Sequence, residues 1–376
     1  MKCGIGFSDS LNSADAATEM LDKALSLSGT PDLVLLFTTD SHDQAQVLNK
    51  VKDTVGDAVI TGSCVAGIVT EKGVLQKGTG VLAVSGEELQ VVSHLEPNLG
   101  KDSGVVGEKT GDSLLSSGIQ DGIVFAYPDG FQSNLAQALR GMYNRMGPGY
   151  SYAGGGSGDN LKFFRSYQYT ENGLASNALS AALVSGMETS IGVKHGWEPT
   201  GEPIVVTKAS GKTVYEINGL PALDLYKGIF GDITPDDFAR IGMSYPLGFP
   251  DISGNYLIRD PLKVNEDGSI EFVTEIAANA VGCIMGTSLD NVQKSAHESA
   301  KLAVEGLSSP VFLLFMDCIS RYLLMAKEYT REIEAVFSAA DDIPALGVLT
   351  FGEIGSYSDV PLMHNKTVVA VAGGEK

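Results

Sequence analysis

Long apolar runs, paired cysteines and a signal peptide are all missing from this chain of 376 residues. No stretch approaches the roughly 18 consecutive apolar residues that predict a membrane-spanning helix, so we expect no transmembrane segment. The N-terminal residues turn polar too soon for a secretory signal. The four cysteines form no CxxC pair, which is typical of reduced thiols and not of a disulfide framework. Together these absences predict a cytoplasmic protein.

Basic residues are also scarce. The chain has 26 Lys and Arg residues against 46 Asp and Glu residues, which gives a formal net charge of −20. Nucleic acids and anionic membrane surfaces bind clustered Lys and Arg, so neither is expected as a partner. We interpret the acidity as a solvated surface that favours solubility.

Recognisable catalytic and metal-binding motifs are lacking as well. None of the five histidines lies in an HExxH motif or a Cys/His cluster, so we predict no zinc site. The sequence contains no GxSxG motif, and no Ser/His/Asp set can be argued. We therefore assign no catalytic residue, and an enzyme is the less favoured reading of this chain.

What the chain does contain is one pattern that occurs three times. A short apolar strand is followed by a helix, then by a second strand that runs into a glycine-rich turn, and then by a closing strand. We call these copy 1 (residues 33–86), copy 2 (residues 123–186) and copy 3 (residues 311–373). Each copy is one supersecondary unit, too small to bury its own faces. The repetition predicts three similar turns at equivalent strand ends, which converge on a shared binding site.

The strands and helices of the copies indicate the fold class. Each first strand is an unalternating apolar run, typical of a strand buried under helices on both faces. The helices carry one apolar face, and in copy 3 this helix is expected at residues 321–339. A polar–aromatic alternation at residues 162–170 predicts a half-exposed strand. We predict an α/β fold of mixed β-sheets flanked by helices, built from repeated strand-helix-strand-turn-strand units.

A boundary is expected in the middle of the chain. Residues 197–203 contain two prolines and a glycine directly after a predicted strand, which favours a linker. We therefore predict two α/β parts, residues 1–203 and residues 204–376. The first part holds copies 1 and 2, and the second holds copy 3 with a divergent region before it.

Several segments, taken in order, resemble those of FIST-domain proteins. They are residues 32–37, 62–67, 80–84, 214–223, 317–321, 351–355 and 364–367. The ordered set spans nearly the whole chain, and it is more specific than any one of its motifs. The resemblance implies a FIST N-like part at residues 1–203 and a FIST C-like part at residues 204–376.

The resemblance also implies a function. FIST-like modules are sensory inputs that bind small molecules, with amino acids as candidate ligands, and pass the bound state to a signalling partner. Because the sequence shows no fused output domain, we expect either a separate signalling protein or no signalling partner. Some members resemble haem-binding nitric-oxide sensors, so a haem-based gas sensor is the alternative, and no other cofactor is implied. An uncharacterised enzyme is the third reading.

The glycine-rich turns supply the first candidate ligand-binding residues. These candidates are Ser63, Cys64, Gly154, Gly155, Gly156 and Ser157. Glycine lets a ligand approach bare backbone N–H groups, but the same glycines also suit tight turns that need positive φ or close backbone approach. Cys64 has no cation close in sequence, so a buried space-filling thiol is the favoured interpretation.

Copy 3 supplies the remaining candidates, which follow apolar strands at the same expected sheet edge. They are Arg321, Gly352, Glu353, His364 and Asn365. A guanidinium and a carboxylate side by side suit the two charged groups of an amino acid, so Arg321 is expected to contact a ligand carboxylate. The alternative is that Arg321 pairs with Glu353 or with Asp317. His364 is the best-placed haem ligand, or else a turn residue bonded to backbone.

Overall fold

The computed structural model describes residues 1–357 and 360–376, and the side chains of residues 235 and 236 lie outside that description. In the described part of the chain, no helix is long and apolar enough to cross a membrane. Copy 1 and the segment before it form β1 (Lys2–Ser8), α1 (Ser13–Ser28), β2 (Leu33–Thr38), α2 (Gln44–Val55), β3 (Val59–Cys64), β4 (Gly67–Thr70), β5 (Gly73–Leu75) and β6 (Thr79–Ser85).

Copy 2 repeats this order of elements. It forms β7 (Gln90–Pro97), α3 (Ser103–Leu115), β8 (Gly122–Pro128), α4 (Leu135–Met146), β9 (Tyr150–Gly155), β10 (Gln168–Thr170), β11 (Gly173–Ala175) and β12 (Ala178–Ser185). The repeating unit is therefore one strand and one helix longer than the sequence pattern indicated.

Copy 3 is interrupted after its first strand, β13 (Glu188–Lys194), by residues 198–286, which we call the insertion lobe. The lobe forms β14 (Glu198–Pro199), β15 (Ile204–Ser210), β16 (Thr213–Ile217), β17 (Leu220–Pro221), α5 (Ala222–Phe230), α6 (Pro235–Ser244), β18 (Leu247–Pro250), β19 (Tyr256–Arg259), β20 (Pro261–Val264), β21 (Ile270–Phe272) and β22 (Val281–Gly286). Copy 3 then resumes with α7 (Leu289–Glu305), β23 (Pro310–Cys318), α8 (Ile319–Met325), α9 (Tyr329–Ala340), β24 (Ala345–Thr350), β25 (Glu353–Gly355), β26 (Leu362–His364) and β27 (Val368–Gly374).

The three copies build three six-stranded sheets by exchanging hairpins. The strand orders are β1-β6-β2-β3-β10-β11, β7-β12-β8-β9-β25-β26 and β13-β27-β23-β24-β4-β5. In each sheet the last two strands are a hairpin from another copy, so the exchange closes in a cycle of three. The two helix-connected strands of each copy pair in parallel, and the other pairs are antiparallel. The predicted α/β class with mixed sheets and repeated units is confirmed.

One central core lies between the three sheets. In β2, Leu33, Leu35 and Phe37 face this core, whereas Val34 and Leu36 pack under α1 and α2. The first strands of the other copies do the same, since alternate residues of β8 and β23 divide between the central core and their own helix layers. Burial on both faces is why these strands read as unalternating apolar runs.

The insertion lobe has its own sheet and its own core. Nine strands of residues 198–286 form the sheet, and Phe238, Tyr226 and Phe272 are fully buried beside it. The predicted boundary between residues 203 and 204 stays a prediction, and the three large sheets combine strands from both sides of it.

Two local predictions are wrong. Residues 162–166 form no strand, and only Gln168–Thr170 pairs in the sheet, because the Asp159 carboxylate accepts hydrogen bonds from four successive backbone N–H groups of residues 162–165. The single helix expected at residues 321–339 is broken at Ala326, whose φ is 48°, and a short 3₁₀ turn separates α8 from α9.

A substitution at Gly62 tests how closely β3 approaches β2. A Cβ on Gly62 would lie 1.9 Å from the Leu36 carbonyl oxygen, and the φ of this residue is 150°. We expect Gly62→Ala to lower the free energy of unfolding by about 3 kcal/mol or more, because overpacking and backbone strain add. Gly201→Ala, where a Cβ would meet nothing within 4 Å, is the control. Equal urea-unfolding midpoints for the two variants would contradict the close approach.

Candidate functional site

The turns that follow the second strands of the three copies meet one another. The Cys64 N–H donates to the Tyr167 carbonyl at 2.8 Å, and the Gly156 N–H donates to the Gly352 carbonyl at 2.8 Å. The Ala66 N–H donates to the Leu349 carbonyl at 3.0 Å, which links copy 1 to copy 3. The turns therefore converge, in a ring of backbone hydrogen bonds that connects each copy to the other two.

The glycines of this junction lie against neighbouring backbone and side-chain atoms. A Cβ on Gly158 would lie 2.1 Å from the Phe351 ring, and a Cβ on Gly156 would lie 2.3 Å from the Phe351 carbonyl oxygen. Gly154 has a φ of 149° and approaches the Ala126 carbonyl as Gly62 approaches that of Leu36. The glycines of these turns serve close backbone packing.

A cavity of about 380 Å³ lies beside the junction, between the insertion lobe and copies 2 and 3. We call it the interlobe cavity. Its wall comes from the turn after β8, the loop before β10, the insertion lobe, the start of α8 and the turn after β24. The lining residues are Gly130, Phe131, Leu161, Phe163, Lys212, Ala239, Met243, Asp260, Pro261, Leu262, Glu271, Phe272, Val273, Cys318, Ile319, Ser320, Leu323, Phe351, Gly352 and Asn365. Two of the predicted site residues, Gly352 and Asn365, are among them.

Polar groups cluster where copy 3 meets the lobe. Asp260 of the lobe lies 3.0 Å from the ammonium nitrogen of Lys366, and both side chains are buried. The Thr274 hydroxyl donates to the Asn365 amide oxygen at 2.5 Å, and the Asn365 amide donates to the His364 carbonyl at 3.0 Å. These contacts connect the two walls of the cavity through side chains.

Three aromatic rings also line the cavity. Phe131, Phe163 and Phe351 contact one another with ring centroids 5.2–5.6 Å apart. Phe163 belongs to residues 159–165, a segment without counterpart in the short turns of copies 1 and 3. The φ values of Leu161 and Phe163 are 58° and 52°, an unfavourable region for bulky residues. The hydrogen bonds from four backbone N–H groups to the Asp159 carboxylate hold the segment in this conformation.

The Arg321 side chain is fully buried and does not line the interlobe cavity. Its guanidinium contacts the carboxylates of Asp317 at 3.1 Å and Glu332 at 2.7 Å. It also donates to the carbonyls of His195 at 2.6 Å, Lys366 at 3.1 Å and Val292 at 3.0 Å. The structure thus contains the alternative pairing with Asp317, and a ligand carboxylate could reach Arg321 only by breaking these bonds.

Glu353 is buried without a cation within 4 Å in the described part of the chain. Its carboxyl group accepts a hydrogen bond from the Thr350 hydroxyl at 3.0 Å and one from the Thr367 N–H at 3.3 Å. Burial raises the pKa of Glu353 well above its ordinary value, and the nearby charge of Asp317 adds to the effect. The raised pKa favours the protonated form of Glu353, and Glu353 does not pair with Arg321.

The predicted residues of the first two turns are buried in the junction. The Ser63 hydroxyl has no hydrogen-bond partner among the described residues, and burial raises the pKa of the Cys64 thiol far above its ordinary value. The Ser157 hydroxyl donates to the Pro128 carbonyl at 3.0 Å, and Gly155 pairs with Glu353 in the sheet. None of these residues lines the interlobe cavity.

The surroundings of His364 do not fit a haem. The imidazole is fully buried, its Nε2 lies 3.2 Å from the Gly355 carbonyl oxygen, and the Tyr357 ring packs edge-on at 5.1 Å. Burial lowers the pKa of His364 to about 3. His364 is not part of the cavity wall, and among the described residues its imidazole is enclosed, with no exposed surface at which a porphyrin could bind. In the described part of the chain, no cluster of three or more His, Cys, Asp or Glu side chains could hold a metal ion.

Several wall residues carried no signal in the sequence. Lys212 and Asp260 stand in no motif, and Ser320 lies in the segment 317–321 but was not predicted as a site residue; the packing of the lobe against copy 3 brings the three residues together. Cys318 ends an apolar strand, a position that predicted a core thiol, and it is buried at the cavity wall. For Cys318, the signal in the sequence was its position at the end of a buried strand.

Removing Arg321 tests its structural role. We expect Arg321→Met to lower the free energy of unfolding by about 3–5 kcal/mol, because two buried carboxylates lose their partner. Arg331→Met is the matched control, since Arg331 pairs with Asp290 at the surface and that pair contributes under about 1 kcal/mol. Both values come from urea unfolding monitored by circular dichroism. Equal losses for the two variants would contradict a structural role for Arg321.

The raised pKa of Glu353 predicts a pH dependence of stability. A carboxyl whose pKa is raised in the folded state releases its proton on unfolding, so wild-type stability falls as the pH rises above about 4.3, until it reaches the raised pKa. We expect the free energy of unfolding of Glu353→Gln, relative to that of the wild type, to increase by up to about 1.4 kcal/mol for each pH unit in that window. Glu305→Gln, an exposed change on α7, is the control. If the free energies of unfolding of wild type and Glu353→Gln change in parallel from pH 4 to pH 8, the pKa of Glu353 is not raised in the folded state.

Comparison with known proteins places these features in a family. Over 49% of its own length, this chain is 28% identical to the uncharacterized protein MJ1623 of Methanocaldococcus jannaschii. The match spans 39% of the length of that relative. It is 25% identical to the uncharacterized protein Rv0628c of Mycobacterium tuberculosis over 98% of both chains. Among solved structures, PurLQS of Thermotoga maritima aligns with 9% identity over 100% of this chain and 72% of the other. Its TM-score of 0.24 is too low to support an argument.

Family models cover nearly the whole chain. The FIST N domain model matches residues 32–220, and the FIST C domain model matches residues 222–356. FIST domains are in general sensory modules of signal transduction that bind small ligands. The ordered segments that suggested the resemblance lie within these two matches or just beyond them. The chain belongs to the FIST family and contains its N and C domains in order.

Proposed function

We propose that this protein is a small-molecule sensor whose ligand occupies the interlobe cavity. The observation that carries the proposal is the cavity itself, because its 380 Å³ lie between two separately packed bodies and its wall is mostly apolar with a polar side. Ligand sites in proteins favour such concave, largely apolar spaces between bodies, with a few convergent polar groups. The ligand is a compact molecule with an apolar part, and amino acids are the first candidates.

Binding would be coupled to the position of the insertion lobe. The lobe meets the rest of the chain near the cavity through Lys212, Asp260 and Thr274, which contact Gln132, Lys366 and Asn365. A ligand that touches both walls favours the arrangement in which they are close, and so shifts the population of lobe positions. A separate signalling protein would read this shift. The cytoplasmic location stays a prediction of the sequence.

A ligand screen on the wild type and on a variant with a filled cavity tests the proposal. We expect at least one compound of an amino-acid and metabolite panel to raise the melting temperature of the wild type, because a ligand at 100 times its Kd stabilises the folded state by about 2.7 kcal/mol. Ala239→Trp, which places an indole in the cavity wall, should abolish that shift. Ala278→Trp, at an exposed position of the same lobe outside the wall, should preserve it. A hit that binds Ala239→Trp as well as wild type would place the ligand elsewhere.

A further inference from the structure

One cation of the cavity wall has no counter-ion. Lys212 lies in the turn between β15 and β16, and its ammonium donates one hydrogen bond, to the Gln132 carbonyl at 3.1 Å. No carboxylate of the described residues lies within 4 Å of this nitrogen, although other lysines of the lobe form such pairs. Two of the three ammonium protons therefore remain for another partner.

The carboxylates nearest to Lys212 are engaged or held at a distance. Glu271 also lines the cavity, but it pairs with Lys263 at 2.9 Å. Glu275 is near both Lys212 and Arg259, but Arg259 donates only to its backbone carbonyl, at 3.2 Å, and among the described residues its carboxylate lies within 4 Å of neither cation. One of its carboxylate oxygens is buried without a hydrogen-bond partner among the described residues. The two carboxylates of the wall thus have their own partners, Lys366 for Asp260 and Lys263 for Glu271, and in the described part of the chain the ammonium of Lys212 has no carboxylate within 4 Å.

The surroundings of Lys212 strengthen the attraction between its ammonium and an anion. Lys212 is half-buried, and Phe272, Met243 and Phe131 share the cavity wall with it. An ammonium beside apolar groups is poorly solvated, and burial lowers the pKa of Lys212 below its ordinary value. The attraction between opposite charges is stronger in such a place than at an open surface.

We infer that the ligand of the interlobe cavity is a carboxylate with an apolar body, whose carboxylate binds the ammonium of Lys212. The inference rests on the proposed function, because it assigns a ligand class to the same cavity. The apolar body lies toward the Phe131, Phe163 and Phe351 rings. The hydroxyl of Ser320 and the amide of Asn365 also line the wall, although Asn365 already bonds to Thr274 and to the His364 carbonyl.

The experiment compares acids with their amides. L-Phenylalanine, L-leucine and 3-phenylpropionate are titrated into the wild type by calorimetry, and each is paired with its carboxamide, which keeps the shape and removes the negative charge. We expect at least one acid to bind at least about tenfold more tightly than its amide, the size of a hydrogen bond between charged groups. An amide that binds as tightly as its acid would overturn the inference and leave the cavity as the ligand site.

Variants at Lys212 assign the charge to one residue. Lys212→Met should weaken binding of the acid at least about tenfold and leave the affinity for the amide unchanged, whereas Lys212→Arg should retain most of the preference for the acid. Lys263→Met removes a cation from the same lobe but outside the cavity wall, and it should bind as the wild type does. Acid binding that is equal in Lys212→Met and wild type would overturn the inference. If no acid, no amide and no other panel compound binds the wild type, the proposed function fails as well.

Discussion

The structure depends on the closed exchange of hairpins among the three copies. Each copy completes a sheet that begins in another copy, and the turns at the exchange bond to one another through backbone groups such as Cys64 to Tyr167 and Gly156 to Gly352. Because the cycle is closed, no copy can leave without breaking two sheets. This explains why units too small to bury their own faces share one central core, and why glycine recurs where backbones must nearly touch.

The candidate site lies where this symmetry is broken. Copy 2 has the segment 159–165 in place of a short turn, and copy 3 carries the insertion lobe between its first strand and α7. Both departures line the interlobe cavity, Phe163 from the segment and Asp260 from the lobe. The repeated body supplies a rigid wall, and the parts that are not repeated supply the remainder of the site.

The sequence predicted the features that local pattern controls. Apolar runs such as Leu33–Thr38 indicated strands buried on both faces, and the glycine turns indicated a convergence of three strand ends, which the hydrogen-bond ring confirms. The sequence could not predict that the Asp159 carboxylate would replace strand pairing in the segment after it. Nor could it predict that Glu332, eleven residues along the chain, would share Arg321 with Asp317. Lys212 gave no signal because its significance lies in the lack of a partner, which only the packed lobe defines.

The most direct measurement is a crystal structure of the protein with a compound that raises its melting temperature. We predict ligand density in the interlobe cavity, in contact with residues of the insertion lobe and with the turn around Gly352. Density at another surface, with the interlobe cavity unchanged and filled only by solvent, would contradict the view that the junction between lobe and repeated body is the sensing site.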